Sequence, residues 1–191
     1  RARVVRGLLL GGAAGLAAGT GMEVASRLRQ ADRAAGGEGG PFAPLYHQAL
    51  AARSRLAPPR WSTAQGGVGN VTYLGADGRL LAFDTGPGNA LIDDWMLART
   101  GRPMDEGGAL AARGRVDQAV LGALMQNDYF GAAAPKSLDR NDFSAEAAAH
   151  LSDADGAATL AAFTVEAVRA ALDHLPQAPQ SWVVCGGVRI G

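Results

Sequence analysis

Hydrophobic and polar residues alternate along this chain with two distinct periods, and the spacing predicts a mixed α/β arrangement. From Val68 to Asp84 the pattern is strand, turn, strand. Val71 to Leu74 and Leu80 to Phe83 are β-prone runs around Gly75-Ala76-Asp77-Gly78, and an Asp-Gly turn between such runs signals a hairpin. Helical spacing appears over 44–55, with Pro44 at its start and Leu45, Ala49 and Ala52 as its apolar positions, before Pro58 and Pro59 end it. It appears again over Ala90 to Thr100, with Leu91, Trp95 and Met96 on one face and Asp93 and Asp94 in the early turns, where the helix dipole favours carboxylates. Val116 to Gln126 and Phe163 to Leu172 predict two further helices. Trp182 to Cys185 predicts a short buried strand running into Gly186-Gly187.

Two segments fit neither period. Gly7 to Gly19 is an apolar run of small residues, about 13 long where a membrane-spanning helix needs about 20. It is read as a small-residue helix packed in the interior, with a secretory leader behind Arg1, Arg3 and Arg6 as the other reading. Ala35 to Pro41 holds four glycines and a proline, which predicts a loop whose backbone lies close to something.

Composition narrows the function classes. The 27 glycines in 191 residues are twice the usual share of about 7%. The 18 basic and 18 acidic residues give no net charge, so the chain lacks the electrostatic footprint of a nucleic-acid binder. Of the basic residues only Lys136 is a lysine. One cysteine, Cys185, excludes an internal disulfide and a cysteine metal cluster and favours a reducing compartment; it is expected to be a core thiol. His47, His150 and His174 are too scattered to suggest a metal site.

The candidate chemistry lies in the glycine-rich loops. Asp84-Thr85-Gly86-Pro87-Gly88-Asn89, at a strand end and a helix start, offers backbone N–H groups to a phosphate and a carboxylate to Mg²⁺; a plain strand-to-helix turn is the competing reading. Gly66-Gly67 and Gly186-Gly187 at other strand ends point to a nucleotide cleft. Asp32, between Arg29 and Arg33 and just before the glycine run, is a candidate general base, with a solvated acid at a helix end as the alternative. Lys136 could touch an anionic substrate group or lie on the surface, His47 reads as a helix-surface or partly packed residue, and Trp95, Tyr129 and Phe130 read as core anchors.

Taken in order, these segments resemble the anhydro-N-acetylmuramic acid kinases. The resemblance begins at Arg27 to Phe42 (RLRQADRAAGGEGGPF), followed by Pro44 and His47. It continues at Ala64 to Asn70 (AQGGVGN) and at Phe83 to Trp95 (FDTGPGNALIDDW), the most specific block. Gly101 to Gly114, Ala134 to Phe143 (APKSLDRNDF), Ala158-Thr159-Leu160 with Thr164, and Val184 to Gly187 complete the series. The chain departs from the family pattern at Arg27, Glu38, Gly40, Ala64 and Leu138-Asp139.

The resemblance implies an α/β fold of the ribonuclease H-like, actin/hexokinase/Hsp70 ATPase type, with a mixed sheet flanked by helices. It implies a cytoplasmic enzyme that uses ATP and Mg²⁺ to open the 1,6-anhydro ring of its sugar and phosphorylate O6. The expected partner is that small-molecule sugar, with no nucleic acid and no membrane, and a homodimer is left open. Asp32 matches the family's base, which activates water for attack on the anomeric carbon. Gly36, Gly37 and Gly39 fall at the substrate loop, and Gly66, Gly67, Asn70, Asp84, Thr85, Gly86, Gly88, Asn89, Gly186 and Gly187 at the nucleotide cleft, with no direct protein ligand to the metal. Residues 1–14 match poorly. Residues 15–191 are expected to be a partial kinase, mainly the C-terminal ATPase-like domain without the phosphate-loop domain, and inactive alone. A non-catalytic sugar- or nucleotide-binding remnant is the alternative, and a kinase of the same superfamily acting on another sugar is a third.

Overall fold

The computed structural model of the chain describes residues 13–23, 28–36, 44–54 and 57–187. The chain divides into two compact units, Arg1–Gly40 and Pro41–Gly191. Within the first unit lie two helices, α1 (Ala13–Thr20) and α2 (Leu28–Ala34). Ala18, Gly19 and Thr20 of α1 are exposed, so the end of this apolar run is not the interior helix its composition suggests. Alanine and glycine carry too little apolar surface to enforce burial.

The second unit is built on a four-stranded mixed sheet. Its elements in chain order are α3 (Pro44–Arg53), β1 (Arg60–Gln65), β2 (Gly69–Leu74), β3 (Leu80–Gly86), α4 (Ala90–Thr100), α5 (Gln118–Met125), α6 (Asp153–Ala170) and β4 (Ser181–Gly186). The strand order is β3-β2-β1-β4, with β1, β2 and β3 an antiparallel meander and β4 parallel to β1. The expected hairpin is present, its turn closed by Gly78 N–H donating to Gly75 O at 3.1 Å. Gly78 has a φ of 83°, which only glycine takes up without cost.

One face of the sheet carries the core. Trp61, Val71 and Phe83 from three adjacent strands pack with Ala171, while Leu91, Trp95, Val120, Leu124, Leu160 and Phe163 join α4, α5 and α6. Trp95 docks its indole N–H on Asp153 O at 2.9 Å. Its ring passes so close to Gly156 that a Cβ there would stand 2.0 Å from the ring. Helix α6 therefore begins ten residues before the apolar spacing predicts. Ser152 caps it, its hydroxyl accepting from Asp155 N–H at 3.1 Å. On the opposite face α3 packs through Pro44 and His47, whereas Ala49 and Ala52, predicted to be apolar contacts, are exposed.

Two strands differ from expectation. The sequence pattern omits β1, because two of its three buried residues, Thr63 and Gln65, are polar. β4 forms where predicted but is not buried: Trp182, Val183 and Val184 are exposed at the sheet edge, and Cys185 is half-buried, its thiol 3.4 Å from Thr63 O.

Candidate functional site

The sheet brings three glycine-rich loops to one end. The β1–β2 loop contains Gly66 and Gly67, β3 runs through Asp84 and Thr85 into Gly86-Pro87-Gly88-Asn89, and β4 ends at Gly186-Gly187. Backbone hydrogen bonds tie the first two together, Asn89 N–H donating to Gly66 O at 2.8 Å and Ala90 N–H to Gly67 O at 3.2 Å. These amides therefore do not point outward to a phosphate, as the sequence reading expects; they clamp one loop to its neighbour.

Glycine is required at this clamp on steric grounds. Gly88 has a φ of 54°, and a Cβ there would lie 2.5 Å from Gly66 O and 2.8 Å from Gly69 N. Gly186, at φ 91°, would press a Cβ to 2.4 Å from Gln65 O. Gly187 lies against the Asn89 side chain, where a Cβ would stand 2.8 Å from Nδ2. Thr164 of α6 completes the clamp, its hydroxyl donating to Gly88 O at 2.6 Å. Of the sequence-predicted cleft residues, Gly66, Gly67, Asn70, Asp84, Thr85, Gly86, Gly88, Asn89, Gly186 and Gly187 thus all stand on the three loops or the strands that enter them.

Polar atoms are buried at the same end. Asp84 and Thr85 are 8% and 2% exposed. Asp84 Oδ2 accepts from Leu138 N–H at 2.8 Å, its own N–H donates to Lys136 O at 3.0 Å, and its carbonyl accepts from the Tyr129 hydroxyl at 2.6 Å. Burial and the nearby Asp84 and Asp142 carboxylates push the Tyr129 phenol well above its usual range, so it stays a donor. Asn70 is the cross-strand partner of Asp84. Among the described residues, no hydrogen-bond partner reaches Asn70 Oδ1, Gln65 Oε1 or Thr85 Oγ1, although all three atoms are buried. Buried oxygens left in this state are costly unless a ligand or water meets them.

Beside this end of the sheet is a cavity of about 730 Å³, within the usual range of ~300–1,000 Å³ for small-molecule sites. Its wall is largely apolar, formed by Ile92, Met104, Val165, Val168, Leu172 and Trp182, while Gln65, Asn89, Asp93 and Thr164 supply polar groups. Burial raises the Asp93 carboxyl above the usual range, an effect countered by Arg140 and reinforced by Asp94. Among the described residues no group of three or more His, Cys, Asp or Glu could hold a metal ion, and no helix is long and apolar enough to cross a membrane.

Lys136 departs from both sequence readings, since it is neither on the surface nor turned to a substrate anion. It is 8% exposed, and its ammonium donates to Tyr129 O at 2.8 Å and Phe130 O at 3.1 Å. Burial lowers its pKa. His47 is likewise buried, with Nδ1 2.8 Å from the Thr72 hydroxyl, and burial lowers its pKa too. Trp95 is a core anchor as expected, while Tyr129 and Phe130 are half-buried.

Asp32 is a partly exposed residue of α2, and Gly36 follows that helix at φ 92°; both belong to the first unit. Gly37 and Gly39 lie outside the described residues. Sequence reasoning overlooked Gln65 and Thr164 as site residues. Their signal is a polar residue at a buried position of a strand or helix, which hydropathy alone discards.

Comparison with known proteins identifies the family. The family model described as anhydro-N-acetylmuramic acid kinase matches residues 2–190. A protein of that name from Rhizorhabdus wittichii is 55% identical over 181 residues, 94% of this chain and 49% of its own length. Its namesake from Rhodospirillum rubrum is also 55% identical, over 94% of this chain and 48% of its own. That from Caulobacter vibrioides is 55% identical over 88% of this chain and 46% of its own. The chain spans about half the length of the curated relatives it matches. The expectation that this half is the C-terminal one is not upheld and is withdrawn. With a family model matched over nearly all of its length, the chain belongs to the anhydro-N-acetylmuramic acid kinase family.

Proposed function

We propose that this chain is the part of an ATP-dependent sugar kinase that holds the nucleotide, and that the full-length protein cleaves the 1,6-anhydro ring of anhydro-N-acetylmuramic acid and phosphorylates O6. The observation that carries the reading is the clamped set of three glycine loops opening beside a cavity of about 730 Å³. Gln65, Asn89 and Gly187 bring the loop end of the sheet to the cavity wall, where a phosphate chain would approach. The apolar wall suits the nucleoside end, with Asn89 and Gln65 as its polar contacts. This is the division of labour expected of the actin/hexokinase/Hsp70 type of ATPase fold, to which the mixed sheet is assigned.

Mg²⁺ would be held with the nucleotide and without a direct protein ligand, the Asp84 carboxylate at the loop end of the sheet acting through water. When bound with the nucleotide, it supplies neutralisation of phosphate charge. Asp32 is assigned as the general base that takes a proton from the attacking water, and Gly36, Gly37 and Gly39 as the loop beside the sugar. The remaining expectations, residues 1–14 as a divergent segment ahead of a partial kinase over 15–191, a cytoplasmic location and a homodimer, belong to the same reading.

Mass spectrometry of the full-length protein incubated with ATP, Mg²⁺ and the anhydro sugar tests it. A product heavier by water and a phosphoryl group is expected, and Asp32→Asn should slow its formation by about 10²- to 10⁴-fold. No such product, or undiminished turnover in the Asp32→Asn variant, would overturn the assignment; tight sugar binding without turnover would identify a binding remnant instead.

A further inference from the structure

Asp84 is gripped at three points by one segment. Its N–H bonds Lys136 O, its carboxylate accepts from Leu138 N–H, and its carbonyl accepts from the Tyr129 hydroxyl. The first two grips are made by backbone and need no particular side chain. The third depends on where the Tyr129 ring sits, and that ring belongs to a single 3₁₀ turn, Asp128–Gly131. Two of that turn's carbonyls, those of Tyr129 and Phe130, accept from the Lys136 ammonium at 2.8 and 3.1 Å. The ammonium also lies 4.6 Å from the centre of the Tyr129 ring and 3.2 Å from His174 Nε2.

We propose that Lys136 is a positioning residue for the Asp84–Asn89 loop, acting through Tyr129. A buried ammonium is costly unless its donors are met, and here the partners it meets are those that fix the tyrosine's place. Its charge lies over the Tyr129 face, which adds a cation–π attraction to the two hydrogen bonds. Tyr129 in turn holds Asp84 O, directly before the Thr85-Gly86-Pro87-Gly88 turn. A side chain that merely fills space here would stabilise the fold without affecting nucleotide use selectively. Lys136 instead sets the place of the strand end that carries Asp84, and so bears on the nucleotide and not on the sugar.

The proposal rests on reading the Asp84 loop as the nucleotide site, and the experiment separates the two. Steady-state kinetics of the full-length kinase are measured for Lys136→Met, Tyr129→Phe, the double variant and Asp84→Asn, each checked for folding by circular dichroism. A misplacement of about 1 Å in the site costs up to ~10²-fold, so Lys136→Met is expected to lower kcat/KM for Mg·ATP by roughly 10- to 100-fold, with a rise in KM for ATP as part of that loss. KM for the sugar should stay within about twofold. Tyr129→Phe should act in the same direction, and the double variant should be no worse than the more damaged single one, because the two residues act in series. Full additivity, or a fall in kcat with KM for ATP unchanged in both single variants, would overturn the proposal. If Lys136→Met does not fold, Tyr129→Phe decides by the same ATP criterion. Should Asp84→Asn behave as wild type, the reading of the loop fails and this inference with it. Should Asp84→Asn be impaired while Lys136→Met and Tyr129→Phe are not, this inference alone fails.

Discussion

Gly88→Ala is the sharpest test of the loop clamp, because the structure supplies both parts of its cost. Gly88 sits at φ 54°, and placing an L-residue in the left-handed region costs about 1–2 kcal/mol. Its new Cβ would meet Gly66 O at 2.5 Å, Gly69 N at 2.8 Å and Val68 C at 2.9 Å, all well inside the ordinary contact range of 3.4–4 Å. These are backbone atoms of one loop, so relief requires the loops to separate. Separation breaks the Asn89 N–H to Gly66 O bond, and moving Gly88 weakens the Thr164 bond to its carbonyl, at about 1 kcal/mol each. The sum is roughly 3–4 kcal/mol. Gly101→Ala is the matched control, with φ 72° and no atom within 4 Å of its Cβ, so it carries the conformational cost alone, about 1–2 kcal/mol. Urea unfolding of the two variants beside wild type gives the difference, expected to be about 2 kcal/mol from the two hydrogen bonds, and calorimetry with Mg·ATP should show weaker binding only for Gly88→Ala. A Gly88→Ala variant no less stable than Gly101→Ala would refute the claim that the two loops are packed backbone against backbone.

Thr164→Val keeps the side chain's shape but removes the hydroxyl that donates to Gly88 O at 2.6 Å, leaving that carbonyl without this donor. A loss of about 1–2 kcal/mol in urea unfolding is expected, and no loss would show the bond to be idle. His47 gives a pH dependence. Burial holds its folded pKa below the usual value of 6.5, so folding disfavours the imidazolium. Its contribution to stability is complete above pH 6.5 and is lost as the pH falls from there through the lowered folded value. The stability gap between wild type and His47→Gln should therefore narrow between pH 7.5 and 5.5 in urea titrations; a constant gap would rule out titration at this site.

The antiparallel hairpin of β2 and β3 and the helix α4 could be read directly from the chain, since each buries large side chains that its apolar spacing marks. Val71, Phe83, Leu91 and Trp95 are all nearly inaccessible. Helix α6 was only half visible, because its first turns, Asp153 to Ala158, contain two acids and a glycine that read as a turn. Gly156 is there for the Trp95 ring, a tertiary demand that no local pattern encodes. Lys136 was misread for a similar reason. A lone lysine is normally solvated, and its burial here depends on two carbonyls that only the Asp128–Gly131 turn presents.

The strand that escaped sequence reading altogether is the one that says most about function. β1 alternates buried and half-buried positions as a strand should, but it buries Thr63 and Gln65 where hydropathy expects aliphatic residues. A core built for stability alone would place valine or isoleucine there, because an unmet buried oxygen costs about 1–3 kcal/mol. Gln65 Oε1 is such an oxygen, and Asn70 on β2 and Thr85 on β3 carry two more. All three lie at the glycine-loop end of the sheet, and Gln65 also lines the cavity. The polar character that hides β1 from a hydrophobic pattern is thus the character a bound polar ligand would meet. Poor legibility of a strand and its place in the site have one physical cause here: polar groups are kept in a buried position for a partner from outside the fold.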